Sequence, residues 1–330
     1  MVKERPSNAL SVDVEDYFHV SAFRHSVTRA DWEKLPPRVE QNTDRLIGLF
    51  EHHSVKATFF VLGWVAEKYP NLVRRIVDNG HEVACHGYSH ALIYQQNRAT
   101  FFQETVRAKA ILEEQAQQPV IGYRAASWSV TAESLWALDI LSEVGFQYDS
   151  SIFPVRRDIY GVPDSPRDIH QRKTSSGLLT EFPPATVPMF GRNLPVGGGG
   201  YFRLYPYAFT RAALRRAGKI GTRRFIFYIH PWEIDTEQPR LAAGLKSRFR
   251  HYLNLSRCER RLGRLLSDFR FDTARNVLTE LGYLDIPGKT SMVTSYDAVA
   301  REQQTTARTN RLKKTAEPLQ ARAGLRGERG

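Results

Sequence analysis

Cysteine is scarce in this sequence. Cys85 and Cys258 are its only two, too few for a disulfide framework, and a cytoplasmic, reduced location is the simplest expectation. No run of about 18 apolar residues occurs, so no membrane span is expected. The opening stretch MVKERPSNALSVDVED has no apolar signal region ahead of the first apparent strand. Four successive glycines at 197–200 are not followed by Gly-Lys-Ser/Thr, which excludes a phosphate loop there. Also missing is any basic run interleaved with aromatics. Nucleic acid is therefore not expected as a partner, although the net charge is +12. Much of that charge is local, since residues 288–330 hold nine Lys/Arg against four Asp/Glu. A nucleic-acid binder acting through this basic tail is the weaker alternative.

What is present suffices for a sizeable core: 330 residues, 42% hydrophobic and 25% charged. Strand-like runs fall at 8–14, 56–62, 81–85, 120–124, 146–150, 178–183 and 223–230. Helical patterns lie between them at 41–53, 64–80, 98–115 and 131–145. Strand–helix repetition predicts an α/β fold with a parallel sheet, and seven strands in this rhythm suggest barrel-like closure. Residues 184–205 interrupt the rhythm and read as a Gly/Pro-rich loop beside a cleft. Amphipathic helices are predicted near 256–268 and 272–282. From Lys289 onward the chain is polar and basic and reads as disordered.

The segment HEVACHGYSH (81–90) concentrates three histidines, a glutamate and a cysteine. His81 and Glu82 do not form His-Glu-x-x-His, because the next histidine comes five positions after His81. His86 and His90 are four apart and can converge on one cation. Both would lie at the C-terminal end of a strand, where barrel enzymes carry their sites. His81 lies at that strand's start. Cys85 is the competing ligand, but it directly precedes His86 and should face the other way.

Three further strand ends complete the pattern. In SVDVEDY, Asp13 and Glu15 share one face of the first strand, and Asp16 follows it. Like charges so crowded call for a cation or a catalytic task. Two histidines with a carboxylate form the ligand set of an open metal site, and a second carboxylate suits a general base. Arg124 in GYRAASW can hold a carboxylate ionised. His230 in FYIHPWE suits a general acid.

With SVDVEDYF, ATFFVLG, GHEVACHGYSH, GYRAASW, YDSSIFP and FYIHPWE in this order, the chain resembles polysaccharide deacetylases of the NodB homology type, carbohydrate esterase family 4. The likeness covers roughly 8–235. It is nearest to the branch found with exopolysaccharide and exosortase loci, which carries a C-terminal extension.

The resemblance implies a distorted (β/α)7 barrel over 1–235, an extension over 236–288 that completes the fold as a C-terminal helical extension, and a tail over 289–330. It implies hydrolysis of N-acetyl groups on an acetylated polysaccharide or oligosaccharide with a divalent metal, zinc first, with Co2+ or Ni2+ as alternatives. Carried over by motif, Asp13 is the general base, Arg124 positions it, His230 is the general acid and Asp149 tunes His230. His86 and His90 are metal ligands. Asp16 is favoured as the third ligand because the chain turns there, with Glu15 as the alternative. Tyr17, Trp128 and Trp232, with Phe18, Tyr201 and Phe202, are candidates to stack on sugars. Ala126 stands where the family usually has proline, which puts the oxyanion-holding backbone in question. Two other readings accompany this one: an amide hydrolase of the same fold acting on a non-polysaccharide, and a glycan-binding pseudo-enzyme.

Overall fold

The computed structural model describes residues 7–157 and 160–284. The tail expected to be disordered lies outside the described residues. The strands are β1 (Asn8–Val14), β2 (Thr58–Val61), β3 (Glu82–Cys85), β4 (Gly122–Tyr123), β5 (Tyr148–Asp149), β6 (His170–Thr174), β7 (Gly177–Glu181), β8 (Thr186–Met189), β9 (Arg192–Pro195), β10 (Ile226–Ile229) and β11 (Phe271–Asp272). The principal sheet runs β10-β1-β2-β3-β4-β5-β7-β6, with β11 beside β1. All its pairs are parallel except β6–β7. Seven of the eight parallel-paired strands, all but β11, thus correspond to the seven apolar runs, and strands such as TFFV and IFYI are buried throughout, as helix-covered parallel strands must be. Between β7 and β10 the sheet is bridged only by single pairs, Pro184 to Ile226 and Gly198 to Tyr228. This is the distortion of the barrel.

The helices are α1 (Val39–His52), α2 (Gly63–Lys68), α3 (Pro70–Asp78), α4 (Arg98–Ala116), α5 (Ala137–Glu143), α6 (Gly199–Leu204), α7 (Tyr207–Ala217), α8 (Leu245–Tyr252), α9 (Leu255–Asp268) and α10 (Ala274–Glu280). The single helix expected over 64–80 is broken at Tyr69, because Pro70 cannot continue it and instead opens α3 at its first position. Among the described residues no helix is long and apolar enough to cross a membrane.

Residues 184–205 are not the loop expected. They fold into the β8–β9 hairpin and α6. The two-residue turn Phe190-Gly191 has both φ angles positive, +51° and +70°, the backbone that matches strand twist in tight hairpins. At Gly198 a Cβ would lie 1.9 Å from the Tyr228 carbonyl oxygen, so only glycine lets this segment reach β10. Helix α7 gave no apolar signal because it buries Thr210, Ala213, Leu214 and Ala217, mostly small residues. Strand β6 is a polar edge strand with alternating exposure, equally silent to a search for apolar runs.

Cys258, Leu262 and Leu265 of α9 belong to the same core cluster as Leu10, Val12, Phe59 and Val83 of the sheet. The C-terminal helices therefore share the barrel's core. Leu262 is fully buried, and Leu262→Ala is expected to cost about 2–5 kcal/mol. Denaturant unfolding followed by fluorescence should show one cooperative transition at a lower midpoint. A separate early transition confined to the C-terminal helices would contradict a shared core.

Candidate metal centre and active site

Strand register fixes the rim. Asp13 of β1 pairs with Phe60 of β2, Val61 with Cys85, Cys85 with Tyr123, and Tyr123 with Asp149. Arg124, immediately after β4, is fully buried. Its Nη1 donates to Asp13 Oδ1 at 2.5 Å and to Ser11 Oγ at 2.8 Å. Its Nε and Nη2 donate to the carbonyl and hydroxyl of Ser150, and the guanidinium lies 4.0 Å from the Phe60 ring centroid. A buried carboxylate so paired keeps a fixed orientation.

His86, the residue after β3, turns its Nδ1 to the carbonyl of Arg124 at 2.8 Å. That contact fixes the tautomer with Nδ1 protonated and leaves the Nε2 lone pair for a ligand. Burial depresses its pKa to about 4, so the ring stays neutral, as a metal ligand must be. Gly87 (φ +75°) and His90 (φ +53°) turn the chain back after the strand. One ligand atom from each of Glu15, His86 and His90 lies within 4.8 Å of the others. Glu15 Oε2 is 2.7 Å from His90 Nε2, yet it is buried with no hydrogen-bond partner. An orphaned carboxylate oxygen facing two imidazoles fits a divalent cation of the zinc type.

Asp16 does not join this group. Its Oδ1 accepts the Tyr17 N–H, and its Oδ2 accepts the N–H groups of Arg38 and Val39. It anchors the loop ahead of α1, and burial pushes its carboxyl up to about 6. The carboxylate that stands with the histidines is Glu15. The chain does turn at Asp16, but the turn points that short side chain into backbone donors.

His230, after β10, points Nε2 toward Glu15 Oε1 (3.5 Å) and Asp13 Oδ2 (3.8 Å). Burial opposes its charge, but Glu15, Glu233 and Asp13 outweigh it and push its pKa up to about 9. The residue expected to tune it, Asp149, instead accepts from Ser151 and lies with Glu181 in a separate buried acid pair. His230 Nδ1 lies 2.6 Å from Glu233 Oε1. Glu233 follows at the third position of the short helix that His230 caps, a capping-box spacing already visible in FYIHPWE.

The aromatic candidates are largely spent on packing. Tyr17 (0% exposed), Trp232 (4%) and Trp128 (7%) are buried, as are Phe18 and Phe202, so none presents an open face for a sugar. Trp232 stacks on His251, ring centroids 4.2 Å apart, and donates its Nε1–H to Glu15. Trp128 packs on Phe153 and Tyr228. Tyr201 is only partly buried. His81 accepts the Ala57 N–H in the core at the far end of β3. Cys85 sits in the hydrophobic core, where burial pushes its thiol up to about 12. Beside Ala126, Ser127 and Trp128 both have positive φ, so this turn holds a sharp backbone without proline.

Comparison with known proteins divides the chain. Residues 31–148 match the family model described as polysaccharide deacetylase, and residues 150–279 match a domain of unknown function, DUF3473. A peptidoglycan-N-acetylglucosamine deacetylase of Bacillus cereus is 39% identical over 70 residues, 21% of this chain and 26% of that protein. A chitooligosaccharide deacetylase of Bradyrhizobium is 29% identical over 100 residues, 30% of this chain and 43% of that protein. The matches thus span less than half the length of these curated relatives. Among solved structures, a Mycobacterium smegmatis protein assigned as a polysaccharide deacetylase superposes with TM-score 0.54 at 19% identity, covering 89% of this chain and 98% of that one. PuuE allantoinase superposes with TM-score 0.54 at 14% identity, covering 84% and 90%. These two likenesses carry the barrel fold, which by itself selects no substrate.

The ligand geometry predicts metal content. Glu15→Ala, His86→Ala and His90→Ala should each lose a bound divalent cation on dialysis. Cys85→Ala should keep it, and Asp16→Asn should lower thermal stability yet also keep it. Elemental analysis of dialysed protein measures this. Loss of metal from Asp16→Asn with retention in Glu15→Ala would reverse the assignment.

Proposed function

We propose, from the premise that this chain carries a polysaccharide deacetylase domain of the NodB type, that it hydrolyses N-acetyl groups of N-acetylhexosamine units in a polysaccharide or its precursor. The observation that carries the reading is the convergence on one rim of an arginine-held carboxylate (Asp13), a Glu15/His86/His90 cluster and His230. A role in exopolysaccharide synthesis is supported by the SVDVEDYF opening combined with a C-terminal segment continuous with the barrel core.

Glu15, His86 and His90 would hold the cation, with zinc favoured by two imidazoles and one carboxylate. When bound, it supplies Lewis-acid polarisation of the acetyl carbonyl and stabilises developing negative charge. The chain's own residues do the rest. Asp13 takes a proton from the attacking water, and Arg124 keeps that carboxylate aimed. His230 protonates the departing sugar amine as the C–N bond breaks. The products are acetate and a free amine on the sugar.

Acetate release from N-acetylglucosamine oligomers, with and without chelator, tests the reading. Activity should vanish with chelator and return with added Zn2+. Asp13→Asn and His230→Ala should retain metal and lose roughly 100-fold or more in rate, the scale of general acid–base catalysis. No acetate from any N-acetylated saccharide, at full metal loading, would sink the reading.

A further inference from the structure

His230 is linked through Glu233 to a buried arginine, Arg203, all three inside the region matched as a domain of unknown function. Arg203 in α6 is 2% exposed. Its Nε donates to Glu233 Oε2 at 2.5 Å, while Glu233 Oε1 receives His230 Nδ1 at 2.6 Å. The guanidinium is itself fixed. Its Nη1 donates to the carbonyls of His251 (2.7 Å) and Leu253 (2.9 Å), and Asn254 Nδ2 donates to the Arg203 carbonyl.

We propose that Arg203 is a positioning residue for His230, acting through Glu233, and that this is a catalytic contribution of the segment of unknown function; it rests on the deacetylase reading above. With one Glu233 oxygen held by Arg203, only the other faces the imidazole. A carboxylate oxygen can only accept, so Nδ1 must carry a proton and Nε2 is turned toward Asp13 and Glu15. In the proposed step the amide C–N bond breaks and the Nε2 proton passes to the amine nitrogen. The ring is left neutral, its remaining proton on Nδ1 and donated to Glu233. Without Arg203 the Glu233 carboxylate keeps only the capping bond from the His230 backbone N–H at 3.2 Å, and the ring loses the second anchor that orients it to deliver the proton.

Two substrates separate positioning from mere support. N-acetylglucosamine oligomers expel an amine that needs a proton, whereas nitrophenyl acetate expels a phenolate that does not. In R203M and E233Q, kcat on the oligomers should fall about 10–100-fold with KM little changed, while the aryl ester rate should move less than about 3-fold. Equal losses on both substrates, or oligomer turnover at the wild-type rate, would overturn the proposal. Because a buried Arg203 substitution can compromise folding, the tautomer of His230 is read separately by nitrogen NMR of histidine-labelled full-length protein, at a pH alkaline enough that the ring carries a single proton. The wild-type chain should show Nδ1 protonated. In E233Q the amide oxygen is claimed by Arg203 and its NH2 faces the ring, so the proton should move to Nε2. The same tautomer in both proteins would overturn the proposal. A wild-type chain that releases no acetate from the oligomers fails the functional reading instead, and the tautomer measurement still decides the role of Arg203.

Discussion

A single buried guanidinium ties the barrel to its candidate site. Arg124 touches β1 through Ser11 and Asp13, β2 through the Phe60 ring, and the end of β5 through Ser150, while its carbonyl fixes His86 after β3. Four neighbouring strand ends are thus held to one residue. Removing one partner of a buried ion pair costs about 3–5 kcal/mol in general, because the other charge is left without water or counter-charge. Asp13 and Arg124 therefore depend on each other, and the geometry of Asp13, His86 and the barrel rim follows from that one pair.

Most of the barrel was legible because parallel strands covered by helices must be apolar runs, and TFFV, EVAC and IFYI stand out against polar helices. The rim was legible for a related reason. A charged or imidazole side chain directly after such a run has no packing role, so Asp13, Glu15, His86, Arg124 and His230 could be singled out without coordinates. What escaped had no local signal. Asp16 and Glu15 are adjacent, and which one turns inward depends on backbone donors 22 and 23 residues away, at Arg38 and Val39. Asp149 and Glu233 are both acids near strand ends, and only the three-dimensional rim brings Glu233 to His230. The stacking aromatics failed on burial: Tyr17, Trp128 and Trp232 look alike in sequence whether they face a sugar or a core.

The boundary between the two matched regions does not divide the chemistry. Asp13 and Glu15 precede residue 31, where the deacetylase match begins, and His86, His90 and Arg124 fall within it. His230, Glu233 and Arg203 all fall within 150–279. The second region also supplies β7, β10 and α9, which build the same sheet and core. A segment that contributes strands and a site histidine is not an appended module. The glycines at 198 and 199 serve this continuity, since a side chain at Gly198 would collide with β10.

The distribution of charge around the rim marks, by subtraction, the one cluster suited to a cation among the described residues. Asp13 is matched by Arg124. Glu233 is matched by Arg203 and His230, and Asp235 by Arg38 and Asn42. Asp16 is solvated by three backbone N–H groups. Glu15 receives one indole N–H, and its second oxygen faces His90 without a hydrogen bond. Burial alone would favour the neutral acid, but His90 and His230 outweigh it and hold Glu15 well below the ordinary carboxylate range. An ionised, buried oxygen with no donor beside two imidazoles is costly as it stands. A divalent cation at that point would satisfy all three groups at once, whereas the other partnerless carboxylate oxygens at these strand ends, Asp149 Oδ2 and Glu181 Oε2, belong to an acid pair whose burial pushes both carboxyls up.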